Sequence, residues 1–163
     1  MTDRIRMPLI YKPNLGKATR TSHNAARGIG LDAALEIFSE IKARFGCPPI
    51  TDIHEADQCA PVAQVVDILQ IPGFLGRQTD LLLAGANTGA DVNVAKVQFL
   101  APFDIANVVP KLKNTGNERI LLVERGASFG YVPGQRHASA AQHAAVPAAQ
   151  IPPPVRRWQI MSS

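Results

Sequence analysis

The sequence lacks any apolar run near the ~18 residues needed to span a bilayer. Cysteine is scarce: Cys47 and Cys59 are the only two. They have no metal-ligand spacing, which favours reduced structural thiols over a disulfide or redox pair. Aromatics make up 6% of the residues while 46% are hydrophobic, so the core must be aliphatic, as in α/β proteins. No phosphate-binding P-loop, dinucleotide fingerprint or zinc-ligand spacing occurs. The opening "MTDRIRMPLIY" has no apolar h-region and no small-residue cleavage site, so no signal peptide is expected. Acidic residues are missing from 132–163, where Arg136, Arg156 and Arg157 supply three of the four net positive charges. Residues 1–131 are thus close to neutral and show no basic stripe with interleaved aromatics. That pattern argues against a nucleic-acid partner, and three arginines make a poor phosphate grip. No membrane partner is expected either.

What is present between Pro8 and Tyr131 is an alternation of short aliphatic runs with helical patterns. "PLIYK" (8–12) predicts a first strand. In "GLDAALEIFSEIKARFG", Leu31, Leu35, Phe38, Ile41 and Phe45 fall three or four apart on one helix face, with Asp32 near its start and Gly46 to end it. "PPITDIH" (48–54) predicts a second strand and "EADQCAPVAQ" a short helix. "VVDILQIP" (65–72) predicts a third strand, and "RQTDLLLAGANTG" a helix ended by Gly89. "DVNVAKVQF" (91–99) predicts a fourth strand. "FDIANVVPKLKNTGN" predicts a helix shortened or kinked by Pro110, and "RILLVERG" (119–126) a fifth strand. Such alternation means βαβ units and a parallel sheet, with right-handed crossovers placing helices outside it. From 132 onward the pattern dissolves into Ala, Gln, His and Pro, and "IPPPV" favours polyproline II. A disordered or loosely attached tail is expected there.

Each strand ends in a charged or amide side chain: Lys12, then Asp52 and His54, then Gln70, then Lys96 and Gln98, then Glu124 and Arg125. In parallel α/β folds that carboxyl-end rim binds ligands. Lys17, Arg20 and Arg77 follow in the loops. Six cations on one rim require anions between them, and phosphates match the arginine fork and the lysine point charge. The alternative is that each cation solvates its own loop. Asp52 and His54 suit an acid–base pair or ligands to a sugar hydroxyl; a hydrogen-bonded pair holding a loop is the alternative. His23 reads as a loop residue, and His137 and His143 fall in the tail.

The stretches "ITDIHEADQCAPVAQVVDILQIPGFLGRQTDLL", "TGADVNVAKVQFLAP" and "GNERILLVERGASFGY" resemble the 3-deoxy-D-manno-octulosonate 8-phosphate synthases, from about Pro8 to Tyr131. The resemblance implies a (β/α)8 TIM barrel that condenses phosphoenolpyruvate with arabinose 5-phosphate, for the lipopolysaccharide inner core, in the cytoplasm. It assigns phosphoenolpyruvate to Lys12, Lys96, Arg125, Gln70 and the backbone around Pro72 and Gly73. It assigns the pentose phosphate to Lys17, Arg20 and Ser22, with Asp52 and His54 nearby and Arg77 between the two substrates. Lys12, Lys96, Asp52 and His54 are the catalytic candidates.

The departures are as informative. The family has Asn where this chain has Thr19, Lys where it has Ala95, and Pro where it has Val97. About five strands are expected in place of eight, so the fold expected is an incomplete TIM barrel with helices on its outer face. The two domains expected are a partial synthase domain over 1–131 and a non-family tail over 132–163, the latter from a shifted reading frame. The resemblance puts the metal ligands of metal-dependent members mostly on strands without a counterpart here. No metal or cofactor is therefore assigned, and metal dependence stays open. An impaired or inactive synthase is expected. The alternatives are a non-catalytic remnant, or a fragment completed by another chain; a homo-oligomer is the other partner the resemblance implies.

Overall fold

The computed structural model describes residues 9–16, 22–24, 28–100 and 104–125. The first helix, α1, spans Leu31–Phe45. Asp32 lies in its first turn and Lys42 and Arg44 in its last, each sign matched to the helix dipole. Gly46 ends it at φ 62°, and its N–H donates to Lys42 O at 2.9 Å. Only glycine adopts that left-handed cap without penalty. Ala34 and Phe38 are buried, and Leu31 and Leu35 pack at the margin of the core. Phe45, expected on the same face, is 65% exposed. It lies in the last turn, and the Arg44 guanidinium sits 5.6 Å from its ring centre.

Four parallel strands follow: β1 (Ile50–Asp52), β2 (Ile68–Ile71), β3 (Asp91–Lys96) and β4 (Ile120–Glu124), in the order β1-β2-β3-β4. The strand expected at 8–12 is reduced, among the described residues, to an isolated parallel bridge between Tyr11 and Pro49. The Tyr11 N–H donates to Pro48 O at 3.1 Å, and the Ile50 N–H to Tyr11 O at 2.9 Å. Pro13, Pro48 and Pro49 have no N–H to give, so the ladder cannot lengthen. The bridge still sits where the sequence order places a strand, outside β1.

The connections carry the helices. A 3-10 turn at Ala56–Gln58 runs into α2 (Cys59–Ala63). Another, at Gly73–Leu75, precedes α3 (Thr79–Asn87). A third, at Asp104–Asn107, runs into α4 (Val108–Lys113). Pro61 and Pro110 both fall in a first turn, where a missing N–H costs nothing. That is why "DIANVVPKLK" forms a 3-10 segment and a short α-helix instead of one long helix.

Phe38 of α1, Val62 of α2, Leu82 of α3 and Leu112 of α4 share one buried cluster with Ile53, Leu69, Ile71, Val92, Val94 and Ile120. All four helices therefore cover the same face of the sheet. Each such aliphatic side chain contributes about 1.5–3 kcal/mol on burial. Asp52, Gln70 and Asn93 alternate along their strands with the core residues Ile53, Leu69, Ile71, Val92 and Val94, and so belong to the other face. A parallel sheet with helices on one face is consistent with part of a (β/α)8 barrel, whose inner face is the one without helices.

Candidate active site

The site builds from register. Asp52 pairs with Gln70 across β1 and β2, and Gln70 pairs with Asn93 across β2 and β3. Paired residues of parallel strands point the same way, so these three form one polar row on the helix-free face. Leu121 of β4, the register partner of Asn93, ends the row.

Lys12 reaches the row from outside β1. Its Nζ lies 3.5 Å from Asp52 Oδ1. Its place is set by its neighbours: Tyr11 is bridged to Pro49, and the Thr51 hydroxyl donates to Pro13 O at 3.0 Å. Thr51 is fully buried, pinning the backbone on either side of Lys12. Both side chains of the ion pair keep solvent contact, so the pair itself is worth at most ~1 kcal/mol. Its consequence is orientation of the ammonium.

Gln70 is half-buried. Its Oε1 is buried without a hydrogen-bond partner. Pro72 and Gly73 follow directly, where β2 gives way to the 3-10 turn. A Cβ on Gly73 would lie 3.1 Å from Val97 Cβ and 3.2 Å from Val97 Cα. Glycine spares the loop after β2 this tight contact with the end of β3. Beyond that contact the same two loops meet again through Phe74 and Phe99, whose ring centres are 6.0 Å apart.

Lys96 departs from expectation. Along β3, Asp91, Asn93 and Ala95 alternate with Val92, Val94 and Lys96. Val92 and Val94 are in the helix-covered core, so Ala95 shares the face of the row and Lys96 does not. Lys96 is 3% exposed, and its Nζ donates to Val97 O at 3.1 Å and Leu100 O at 2.8 Å. The geometry makes it a fastener of the loop after β3. The six-cation rim is accordingly not assembled among the described residues. Arg77 lines a pocket of about 190 Å³ with Leu100, Asp104, Asn107, Val108 and Lys111. Arg125 is exposed just past β4. His54 is half-buried, and its backbone N–H donates to Gln58 Oε1 at 2.9 Å. Ser22 is exposed in a short described segment. Lys17 and Arg20 lie outside the described residues, as do 126–163 and the tail expected there.

Sequence reasoning singled out neither Thr51, which holds Lys12 in place, nor Asn93. The available signal was a polar residue inside an aliphatic strand: Thr in "ITDI" and Asn in "DVNV". Among the described residues no three His, Cys, Asp or Glu side chains gather to hold a metal ion.

A family model described as the DAHP synthetase I family matches residues 1–155. The chain belongs to the DAHP synthetase I family. Within it, proteins named 2-dehydro-3-deoxyphosphooctonate aldolase from Brucella ovis, Brucella canis and Brucella suis are each 59% identical over 131 residues. The match covers 80% of this chain and 47% of each relative. This member of the DAHP synthetase I family thus spans about half the length of the curated relatives it matches. No helix among its described residues is long and apolar enough to cross a membrane.

Proposed function

We propose that this chain carries the phosphoenolpyruvate half of a 3-deoxy-D-manno-octulosonate 8-phosphate synthase site. The observation that carries the reading is the polar row itself, with Lys12 held against Asp52, the register partner of Gln70, on the helix-free face of a parallel sheet. In the full reaction the enol carbon of phosphoenolpyruvate bonds to the aldehyde carbon of arabinose 5-phosphate. Water adds to the neighbouring carbon, and phosphate leaves. Lys12 would offset anionic charge on the phosphoenolpyruvate, and Gln70 would donate a hydrogen bond to it. The backbone at Pro72 and Gly73 would shape the floor, and exposed Arg125 would supply a fork for phosphate oxygens. Asp52 would accept a sugar hydroxyl near the reacting aldehyde, with His54 beside it. Lys17, Arg20 and Ser22 would take the pentose phosphate, with Arg77 between the substrates. Fixed charges of this kind act by aligning the reactants and stabilising charge as it develops. Lys96 takes no part as a ligand in this reading, because its ammonium is held by loop carbonyls.

The same reading takes 1–131 as the synthase domain and 132–163 as a separate tail. The 131-residue length of the match to the Brucella proteins is what supports that boundary, while the family model runs on to residue 155. The same reading takes the chain as cytoplasmic.

A second reading is favoured by two observations: the site face carries Ala95 in place of a cation, and β4 pairs only with β3 among the described residues. Here the chain binds phosphoenolpyruvate without turnover, or turns over only when another chain completes the sheet. Titration calorimetry with phosphoenolpyruvate and a phosphate-release assay with both substrates separate the readings. Binding that is lost in Lys12→Ala supports the site; an unaffected Lys12→Ala chain removes it. Phosphate release by the chain alone excludes the second reading.

A further inference from the structure

Four buried side-chain nitrogen or oxygen atoms lack a hydrogen-bond partner among the described residues: Asp67 Oδ2, Gln70 Oε1, Asn93 Nδ2 and Asn93 Oδ1. Three of the four belong to one register pair, Gln70 and Asn93. Asn93 is 0% exposed and stands between two buried valines. An unpaired buried amide is costly, and an aliphatic residue there would avoid that cost.

The pairing is complementary. Asn93 Nδ2 is a donor and Gln70 Oε1 an acceptor. Neighbouring strands run about 4.8 Å apart, so a turn of either side chain brings the two atoms into contact. We infer that Asn93 is a positioning residue, whose amide holds the Gln70 amide with its oxygen inward and its nitrogen toward a bound anion. The need for such a device is physical. The two ends of a glutamine amide have the same shape, and only hydrogen bonds decide which faces which way. A flipped Gln70 would turn an oxygen toward a carboxylate or phosphate and repel it. With an anion on its nitrogen, Gln70 keeps its oxygen inward, and Asn93 Nδ2 is the buried donor beside it that can satisfy that oxygen.

This inference rests on the reading that Gln70 faces phosphoenolpyruvate, and its test separates the two. Calorimetric binding of phosphoenolpyruvate is compared for the wild-type chain, Asn93→Leu, Asn93→Ala, Asn93→Ser, Gln70→Ala and the double variant Gln70→Ala with Asn93→Leu. Removing the donor is expected to weaken binding roughly tenfold, while serine, which keeps a donor, retains most of it. The double variant should bind no more weakly than Gln70→Ala, because Asn93 acts through Gln70. Losses that simply add overturn the inference. A second readout needs neither ligand nor variant: the side-chain ¹⁵N–¹H signals of Gln70 in the wild-type chain. Slow solvent exchange and restricted rotation of that amide are expected, and a freely turning, fast-exchanging amide overturns the inference. Should the chain bind no phosphoenolpyruvate, the proposed function fails while the amide signals still decide the role of Asn93.

Discussion

Asn117 Nδ2 donates to Ala86 O at 3.1 Å, reaching across 31 positions of sequence from the approach to β4 to the end of α3. The same nitrogen donates to Ala90 O at 2.8 Å, and Oδ1 accepts from the Arg119 N–H at 2.9 Å. One buried amide thus ties a helix end, the entry to β3 and the entry to β4. Asn117→Ala would remove three hydrogen bonds at a residue that is 8% exposed, although Ala86 O keeps the Gly89 N–H. The expected loss is about 1–3 kcal/mol, read as a lower urea midpoint. A midpoint equal to that of the wild type would show that water replaces the bracket without cost.

The parity of β3 predicts opposite outcomes for two adjacent residues. Lys96→Met removes an ammonium bonded to two loop carbonyls, so it should lower Tm and leave phosphoenolpyruvate binding nearly unchanged. Ala95→Lys adds a cation on the face of the polar row and should tighten binding at least several-fold, since charge-assisted bonds are worth about 1.5–3 kcal/mol. Calorimetry decides: loss of binding in a folded Lys96→Met chain, with no gain in Ala95→Lys, would reverse the assignment of faces.

Gly73→Ala should open the joint between the loops after β2 and β3. The added methyl meets the Cβ and Cα of Val97 at 3.1 and 3.2 Å, and a backbone atom cannot step aside as a flexible side chain can. A destabilisation of about 1–3 kcal/mol is expected, together with weaker phosphoenolpyruvate binding because Gln70 lies three residues upstream. Stability and affinity measured on the same sample test whether the two fall together.

Burial, aided by the nearby Asp57 charge and only partly opposed by a backbone hydrogen bond, pushes the Cys59 thiol up to about 11. The folded chain therefore holds this proton more tightly than the unfolded chain, whose thiol titrates near 9.0. The contribution of Cys59 to stability is intact below pH 9.0 and is lost as pH rises toward about 11. Cys59 is buried and Cys47 is half-exposed. At pH 8 a thiol reagent should label Cys47 and spare Cys59 until denaturant is added. Two equally fast thiols in the native chain would contradict this placement.

Much of the fold was legible in residue order. The three-and-four spacing of Leu31, Leu35 and Phe38 marked α1, and Gly46 marked its end. Aliphatic runs between turn signals marked four of the strands. Proline chemistry was legible too, since Pro110 shortened α4 as its missing N–H requires. The motifs around Gln70 and Arg77 pointed to a synthase resemblance, and the chain falls within the DAHP synthetase I family. The strand expected at 8–12 shrinks to one bridge because Pro13, Pro48 and Pro49 withhold the donors its ladder would need, and only the pairing of Tyr11 with Pro49 brings those prolines to bear on it.

The order of side chains along this chain set the helix periods, the strand positions and the family, because these depend on local spacing and on residue identity. Which of Ala95 and Lys96 shares a face with Gln70, and that Asn93 stands beside it, were decided only by tertiary structure. A one-residue step reverses a side chain in a strand, and the row forms only when register aligns three strands that lie far apart in sequence. Periodicity says where a strand runs; pairing says which way its polar groups meet.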